Sequence, residues 1–582
     1  MKNKLQKMDY LLGAILFLLP FLHVCIGINI TDQGYNLANF KCFPDMNQTW
    51  MISTLVANII GKIFTWLPFG KYMLGMNVYC TLLLSVLSVV LFRVLKKDFS
   101  KYAVFVGLII AICLSWAPKV TLYQYLSYYL FDAAAIVLLM GIRKEDRRYM
   151  FGAGCLLAVN LFVRFPNILQ VALIAVVVLA AILRKKRLVE LIKDILVCVA
   201  GYLAVALSGL VMIEWIWGRG AYMGMISSLF AMTDTAIAYS PFSMFTSVIY
   251  AYLENLYWFK FFLVEAIGGF IVYGFLKKKW MKQAFVAALV MGFVAILGFC
   301  WHRDVLNTVY ASYHSIYTWG TNLLMLGILL SGMSVILPGI SFEMRLYGLT
   351  ALVIIGITPL GSNNVLYSNF NNLYLVAPVL AGMICKLWDY SRIAVDENNE
   401  KKIWQISGLP IAVVSILLVG VILVQSFMFH GAFVFGDSVN SDKSYAYVEE
   451  NKLLTGMLST EEQAESLGSL SKYVAENEIN GRKAIVWSEA PILYYLLDVE
   501  CAIGHFWPWL ASYPYEEFEA DIEGMEEYPV IIYQADRYAD LIQGEMELDD
   551  RSLLIHNLLN QGNYEEVFRN KGYAVCLPTA EK

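Results

Sequence analysis

The sequence predicts a polytopic α-helical membrane protein of about thirteen spans that ends in a small extracytoplasmic α/β domain. Three observations carry this. Of 582 residues, 59% are hydrophobic and 15% are charged, whereas soluble domains sit near roughly 45–50% apolar and about 25% charged. Apolar residues at this density need lipid to cover them, and here they fall into long runs. The net charge of −4 is also divided unevenly. Residues 1–429 hold 33 Lys+Arg against 19 Asp+Glu, a balance of +14; residues 430–582 hold 10 against 28, a balance of −18. The chain is therefore read as a basic membrane body, 1–429, joined to an acidic soluble domain, 430–582. This composition excludes an ordinary cytosolic enzyme, a disordered tail and a nucleic-acid binder.

The elements follow in order. Lys2, Lys4 and Lys7 precede the run Leu11–Ile30. That run lacks a small-residue cleavage site and is expected to be an uncleaved first span. Further spans are expected at 73–95, 102–117, 123–142, 149–164, 167–183, 195–217, 258–276, 283–301, 318–338, 346–361, 371–388 and 403–428. Basic clusters at Arg93/Lys96/Lys97, Arg143–Arg148, Arg184–Arg187 and Lys277–Lys279 recur at alternate boundaries. By the positive-inside rule those loops are cytoplasmic. Thirteen spans from a cytoplasmic N-terminus then place the acidic domain outside the cell. Two outer loops are long, 31–72 and 219–257. In the first, Met51–Gly70 is apolar with Lys62 and Trp66, which suits a helix lying in the membrane interface.

In the acidic domain, Lys483–Trp487, Pro529–Tyr533 and Tyr573–Leu577 read as buried strands. Helical patterns cover Glu462–Asn477, Pro491–Leu497, Tyr515–Glu527 and Ser552–Gln561. Strands alternating with helices predict a parallel sheet. No GxGxxG or Walker loop occurs, so nucleotide binding is not expected. The ten cysteines form no CxxC or zinc spacing. Cys501 and Cys576 are close enough in type and region to pair, but free buried cysteine is the expected state.

Asp32 follows directly on the first span, at the outer membrane surface. A carboxylate there can act as a general base or hold a divalent metal ion; equally, it can cap an interfacial helix. The segment Asp32-Gln33-Gly34-Tyr35 resembles the Asp-Glu-Gly-Tyr signature of GT-C membrane glycosyltransferases, a superfamily that includes protein O-mannosyltransferases and bacterial aminoarabinose and hexose transferases. Arg164-Phe165-Pro166-Asn167 resembles their Arg-x-Pro-Asn turn, and Trp487–Tyr495 is similar to an outer-domain segment many of them carry. The resemblance implies a polyprenyl-phosphate-sugar donor, an extracytoplasmic acceptor and Asp32 as catalytic base. Gln33 stands where the family has Glu, which removes a second acid and weakens the case for a metal.

A lipid-phosphate donor calls for positive charge at the outer surface, where the leaving phosphate gains charge. Arg164 and Arg303 each end a span at headgroup depth; Lys62 and Lys71 lie in the first outer loop. These four are the expected phosphate ligands, against the alternative of snorkelling to phospholipid headgroups. Gln33, Tyr35, Asn363 and Asn364 are expected to contact sugar, although Asn is also an ordinary turn former. Asp132 lies within a span and is either functional or held by nearby tyrosines. His302 and His314 match no metal spacing and give no metal site; no cofactor is fixed by the sequence, and a divalent metal stays open. The rival class is a transporter or flippase of lipid-linked glycans, or a polymerase or ligase that uses them; a transporter would place its cavity and charge at the bilayer midplane.

Overall fold

The computed structural model describes residues 2–235, 241–393, 408–435, 444–510, 513–535 and 549–579. The body begins with α1 (Lys2–Leu18). Helices α2 (Asp32–Cys42), α3 (Gln48–Ser53) and α4 (Leu55–Trp66) fill the first long loop. The bundle continues with α5 (Met73–Leu95), α6 (Lys101–Leu114), α7 (Leu122–Lys144) and α8 (Arg147–Leu161). A 3-10 stretch, Phe165–Leu173, leads into α9 (Ile174–Leu183), followed by α10 (Leu188–Trp217), α11 (Ala221–Thr235), α12 (Pro241–Phe275) and α13 (Lys279–His302). Then come α14 (Tyr317–Ile336), α15 (Phe342–Ile357), α16 (Tyr367–Phe370), α17 (Val376–Ile393) and α18 (Leu409–Ala432).

Helices occupy all thirteen expected positions, but among the described residues only eight are long and apolar enough to cross a membrane. The shortfall lies in α1, α6, α8 and α15, of 17, 14, 15 and 16 residues, and in α17, which carries Lys386, Asp389 and Arg392. Residues 403–407 of the last expected span lie outside the described residues. The outward faces of the long helices are apolar: Val211, Val264, Met291 and Ile336 are all more than two-thirds exposed. A continuous apolar exterior of this kind needs lipid around it.

The first span departs most from expectation. It begins at Lys2 and ends by Phe21, not at Ile30. Pro20 has no N–H and cannot continue the helical ladder. The chain beyond it runs to the C-terminal domain: Gly27 N donates to Leu458 O at 2.9 Å, and Leu458 N to Cys25 O at 2.8 Å. The described parts of the expected loop 219–257 are largely helical too, as α11 up to Thr235 and as α12 from Pro241 onward. The helix preceding the soluble domain ends at Ala432 rather than Phe429.

The C-terminal domain holds a two-stranded ribbon, β1 (Tyr445–Tyr447) with β2 (Leu458–Thr460), and a five-stranded sheet. The sheet contains β3 (Lys483–Trp487), β4 (Glu500–Cys501), β5 (Val530–Gln534), β6 (Tyr564–Arg569) and β7 (Tyr573–Pro578), in the order β4-β3-β5-β7-β6. The expected parallel sheet is thus corrected to a mixed one. β3 runs parallel to β4 and β5, but β7 is antiparallel to β5 and to β6. The tight Asn570–Gly572 connection forces the last pairing, since so short a link can only reverse the chain. There Asn570 Oδ1 accepts from Gly572 N at 2.9 Å and Tyr573 N at 2.7 Å. Alternate β3 residues face two cores: Ala484 and Val486 pack with Leu467 and Leu470, Ile485 and Trp487 with Phe518 and Ile555. All ten cysteines are free, Cys501 and Cys576 included.

The two ends of the body differ. The basic clusters at the ends of α5, α7, α8 and α9 are drawn together by ion pairs such as Arg143–Asp98 and Arg184–Glu145. The opposite end packs on the C-terminal domain, through Met73, Met76, Val120, Leu126 and Val163.

Candidate active site

The site is assembled at the domain end, beginning with α2. Its N-terminus is capped from outside, where Asn29 Oδ1 accepts from Gln33 N at 2.8 Å. Asn29 therefore takes the capping role open to Asp32. Gly34 is where α2 meets the C-terminal domain. A Cβ there would lie 2.6 Å from the Ile492 backbone nitrogen, and Ile492 N donates to Ile30 O at 3.2 Å. Ile492 belongs to the Trp487–Tyr495 segment, which thus docks the domain on α2. Only glycine permits that approach.

With capping handled by Asn29, the Asp32 carboxylate is left half-buried. Among the described residues it has no hydrogen-bond or ion-pair partner. Burial disfavours its charged form and pushes its pKa up to about 6. Gln33 is almost fully buried and donates to Asn77 Oδ1 at 2.6 Å. Tyr35, one turn along, is pushed up to about 12 by burial.

Arg164 approaches from the other side. Its turn is held by a buried amide network: Asn167 Nδ2 donates to Ser127 Oγ at 2.8 Å and to Asn160 O at 2.9 Å, and Asn160 Nδ2 to Gln170 Oε1 at 2.6 Å. Pro166 packs against Gly361, which has a φ of +89°. That contact brings the Gly361–Asn364 loop beside the arginine, and Arg164 Nη2 donates to Gly361 O. The guanidinium lies 5.7 Å from the Tyr123 ring centroid. Asp32 and Arg164 both bear electrostatically on the Tyr123 phenol, which places each charge within electrostatic range of it. Of the five guanidinium N–H groups, most remain for a ligand.

The other expected residues are placed differently. Lys62 Nζ donates to Lys41 O at 2.8 Å and so caps the end of α2. Lys71 is exposed, and its carbonyl accepts from the Tyr495 hydroxyl. Arg303 is exposed at the end of α13, over the Phe299 ring at 5.7 Å, with no hydrogen bond or ion pair to Asp32 or Arg164 among the described residues. Asn363 is exposed, while Asn364 accepts a turn bond from Tyr367 N at 2.9 Å. Asp132 is fully buried, with no hydrogen bond to either oxygen among the described residues. Its neighbour Tyr125 donates instead to Ala117 O at 3.0 Å, so the tyrosine-held arrangement does not form. Among the described residues no three His, Cys, Asp or Glu side chains converge. Gln33 is turned to Asn77, so Asp32 offers a metal ion a single carboxylate, which is a poor donor set for a divalent cation.

Sequence reasoning missed Tyr123 and the Asn160–Asn167–Gln170 network. It also missed a cleft of about 540 Å³ between α2, α3 and the C-terminal domain, lined by Tyr35, Trp50, Glu500 and His505 among others. Neither Asp32 nor Arg164 lines that cleft.

No family model and no curated protein matches the chain. Solved structures of the oligosaccharyltransferase AglB from Archaeoglobus fulgidus are similar in outline. One, in complex with an inhibitory peptide and a dolichol-phosphate, has a TM-score of 0.45 at 11% identity, over 94% of this chain and 72% of that one. Another, in complex with Zn and sulfate, has a TM-score of 0.46 at 10% identity, over 92% and 70%. Likeness at this level assigns neither activity nor residues to the chain.

Proposed function

We propose that the chain is an integral membrane glycosyltransferase that moves a sugar from a polyprenyl-phosphate donor to an extracytoplasmic acceptor, with inversion. The thirteen helices would cross the membrane from a cytoplasmic N-terminus and leave the acidic domain outside. One observation carries the proposal: Asp32 is without a hydrogen-bond or ion-pair partner among the described residues, at the domain end of an apolar helical body where Arg164 also lies, over the Tyr123 ring. The resemblance of Asp32–Tyr35 and Arg164–Asn167 to GT-C motifs points the same way.

In the reaction, Asp32 takes the proton of an acceptor hydroxyl as its oxygen attacks the anomeric carbon. The bond from that carbon to the phosphate oxygen breaks, and its electron pair leaves with the lipid phosphate. Arg164 holds that phosphate through its free N–H groups, which suit phosphate oxygens in a fork geometry. A pKa of about 6 makes Asp32 a stronger base than an exposed carboxylate, yet leaves it ionised at neutral pH. No metal enters these steps.

The test is transfer from polyprenyl-phosphate sugars in purified membranes. Asp32→Asn should abolish it, and Asp32→Glu should retain a fraction. Wild-type rates in properly folded Asp32→Asn protein would overturn the assignment.

A further inference from the structure

We infer that the cleft between α2, α3 and the C-terminal domain binds an uncharged carbohydrate, and that this is where the acceptor chain is held. The second clause rests on the transferase reading; the first does not. The cleft, of about 540 Å³, has the size of a small-molecule site. Its walls come from parts of the chain far apart in sequence, Tyr35 to Trp50 on one side and Asp498 to Phe506 on the other. It therefore exists only when the domain is docked.

The wall is aromatic. His505 stacks on Tyr35, with centroids 5.4 Å apart and planes at 22°, and Trp50 meets it edge-on at 4.5 Å. Tyr513 also stacks on His505, with centroids 5.5 Å apart, so the ring surface toward the cleft comes from Tyr35, Trp50 and Phe506; flat rings suit the C–H faces of sugar rings. The wall also holds two polar nitrogens without partners. His505 is 2% exposed and Trp50 is 7% exposed; His505 Nε2 and Trp50 Nε1 have no hydrogen-bond partner among the described residues. His505 Nδ1 lies 2.9 Å from both the backbone nitrogen and the carbonyl oxygen of Trp507, so Nε2 donates or accepts according to the tautomer. Burial holds this histidine neutral, with its pKa lowered to about 3. Buried polar groups are rarely left unmet, and a hydroxyl, which both donates and accepts, is a fitting partner for either nitrogen.

Charge selects the class of sugar. Asp45, Asp498 and Glu500 line the cleft with Lys41. Lys41 is taken by Asp498 at 2.6 Å, which leaves Asp45 and Glu500 unbalanced. Carboxylates accept from sugar hydroxyls but repel an anionic glycan.

The experiment is saturation-transfer NMR on the full chain in nanodiscs, with maltohexaose and chitohexaose as neutral probes and hexagalacturonate as the anionic one. A neutral probe should bind in the millimolar range or tighter, and hexagalacturonate should not. Trp50→Ala should weaken neutral binding about tenfold or more. Should Trp50→Ala fail to fold, the exposed pair Asp45→Lys and Glu500→Lys should admit hexagalacturonate. Binding by neither neutral probe overturns the inference. So does equal binding of the anionic probe, or an affinity unchanged within about twofold in Trp50→Ala. Asp32→Asn should bind as wild type does. If the cleft binds but no donor turns over, the transferase reading fails alone. If transfer proceeds and Trp50→Ala leaves the acceptor KM unchanged, the acceptor role of the cleft fails alone.

Discussion

At the basic end of the helical body Asp9, Asp98 and Asp194 each have a cation beside them, whereas at the domain end Asp32 has none among the described residues. Asp9 lies 2.7 Å from Lys96 and 2.9 Å from Lys101. Asp98 is 2.7 Å from Arg143 and accepts from the Tyr347 hydroxyl at 2.7 Å. Asp194 is 2.8 Å from both Arg147 and Lys186. Across the molecule, among the described residues, Arg164 is bonded to a carbonyl and lies over a ring face, with no acid paired to it. Ion pairs of the first kind align helix ends. Charges left unpaired while half-buried are costly, and that cost makes sense where a ligand completes the set.

The comparison breaks most directly at Asp32. Asp32→Asn should lower transfer by about 10²–10⁴-fold, the usual contribution of a general base. The acidic limb of the wild-type kcat/KM profile should have an apparent pKa near 6, the value of the buried carboxyl. Below it activity falls, because the base is protonated. Asp98→Asn, at the other end, should leave kcat within about threefold and act on stability instead. Equal losses of activity in the two variants would dissolve the distinction between the ends.

Arg164 comes next. Arg164→Gln should lower kcat by about 10²–10³-fold, in keeping with loss of an electrostatic contact to the leaving phosphate. Arg164→Lys should recover part of it, because a point charge replaces the fork. Arg303→Gln should recover nothing because it loses nothing. Its guanidinium lies over Phe299 with no hydrogen bond or ion pair to Asp32 or Arg164 among the described residues. A loss in Arg303→Gln as large as in Arg164→Gln would show that the site extends to α13.

How much of this was legible in the sequence follows from which forces are local. Hydropathy located the helices because a span must be apolar along its own length. The basic clusters came to one end because their spacing matched the helix lengths. Asp32 and Arg164 could be paired because each ends an apolar run on the same expected side. The exit of the first span was not legible as a strand-like crossing: Pro20 marks a break, but its partner Leu458 is set by tertiary packing. β6 escaped because its edge position lets it carry Glu565, Glu566 and Arg569 without an apolar signature. Gln33 looked like a ligand, and only the fold reveals Asn77 opposite it. The cleft was beyond reach, since Trp50 and His505 meet through the docking of two distant segments.

A smaller effect sharpens the basic end. Asp194 is 3% exposed and bonded to two cations, one of them half exposed. Asp194→Ala should destabilise the body by roughly 1–3 kcal/mol, less than a fully buried pair would lose because Arg147 reaches solvent. Thermal unfolding in detergent would register this as a lower Tm, with the acceptor KM unchanged. A shifted KM with an unshifted Tm would contradict the purely structural role.

The smallest effect tests whether Asp32 is strained at all. Its pKa is raised from the model-compound value of 3.8 to about 6 by burial. The folded state therefore binds this proton more tightly than the unfolded chain does. The stability so gained is fully present below about pH 3.8 and is lost as pH rises through about 6. At pH 8 the wild type carries a buried anion that Asp32→Asn does not. The variant should then be the more stable by up to about 3 kcal/mol, less where solvent screens the carboxylate. At pH 4 the two should unfold together, because the protonated carboxyl and the amide are both neutral. Asp9, Asp98 and Asp194 should not behave this way, since removing a paired carboxylate there strands its cation. Loss of activity together with a pH-dependent gain in stability is the signature of a group held for chemistry rather than for the fold, and a variant less stable than wild type at pH 8 would remove Asp32 from that class.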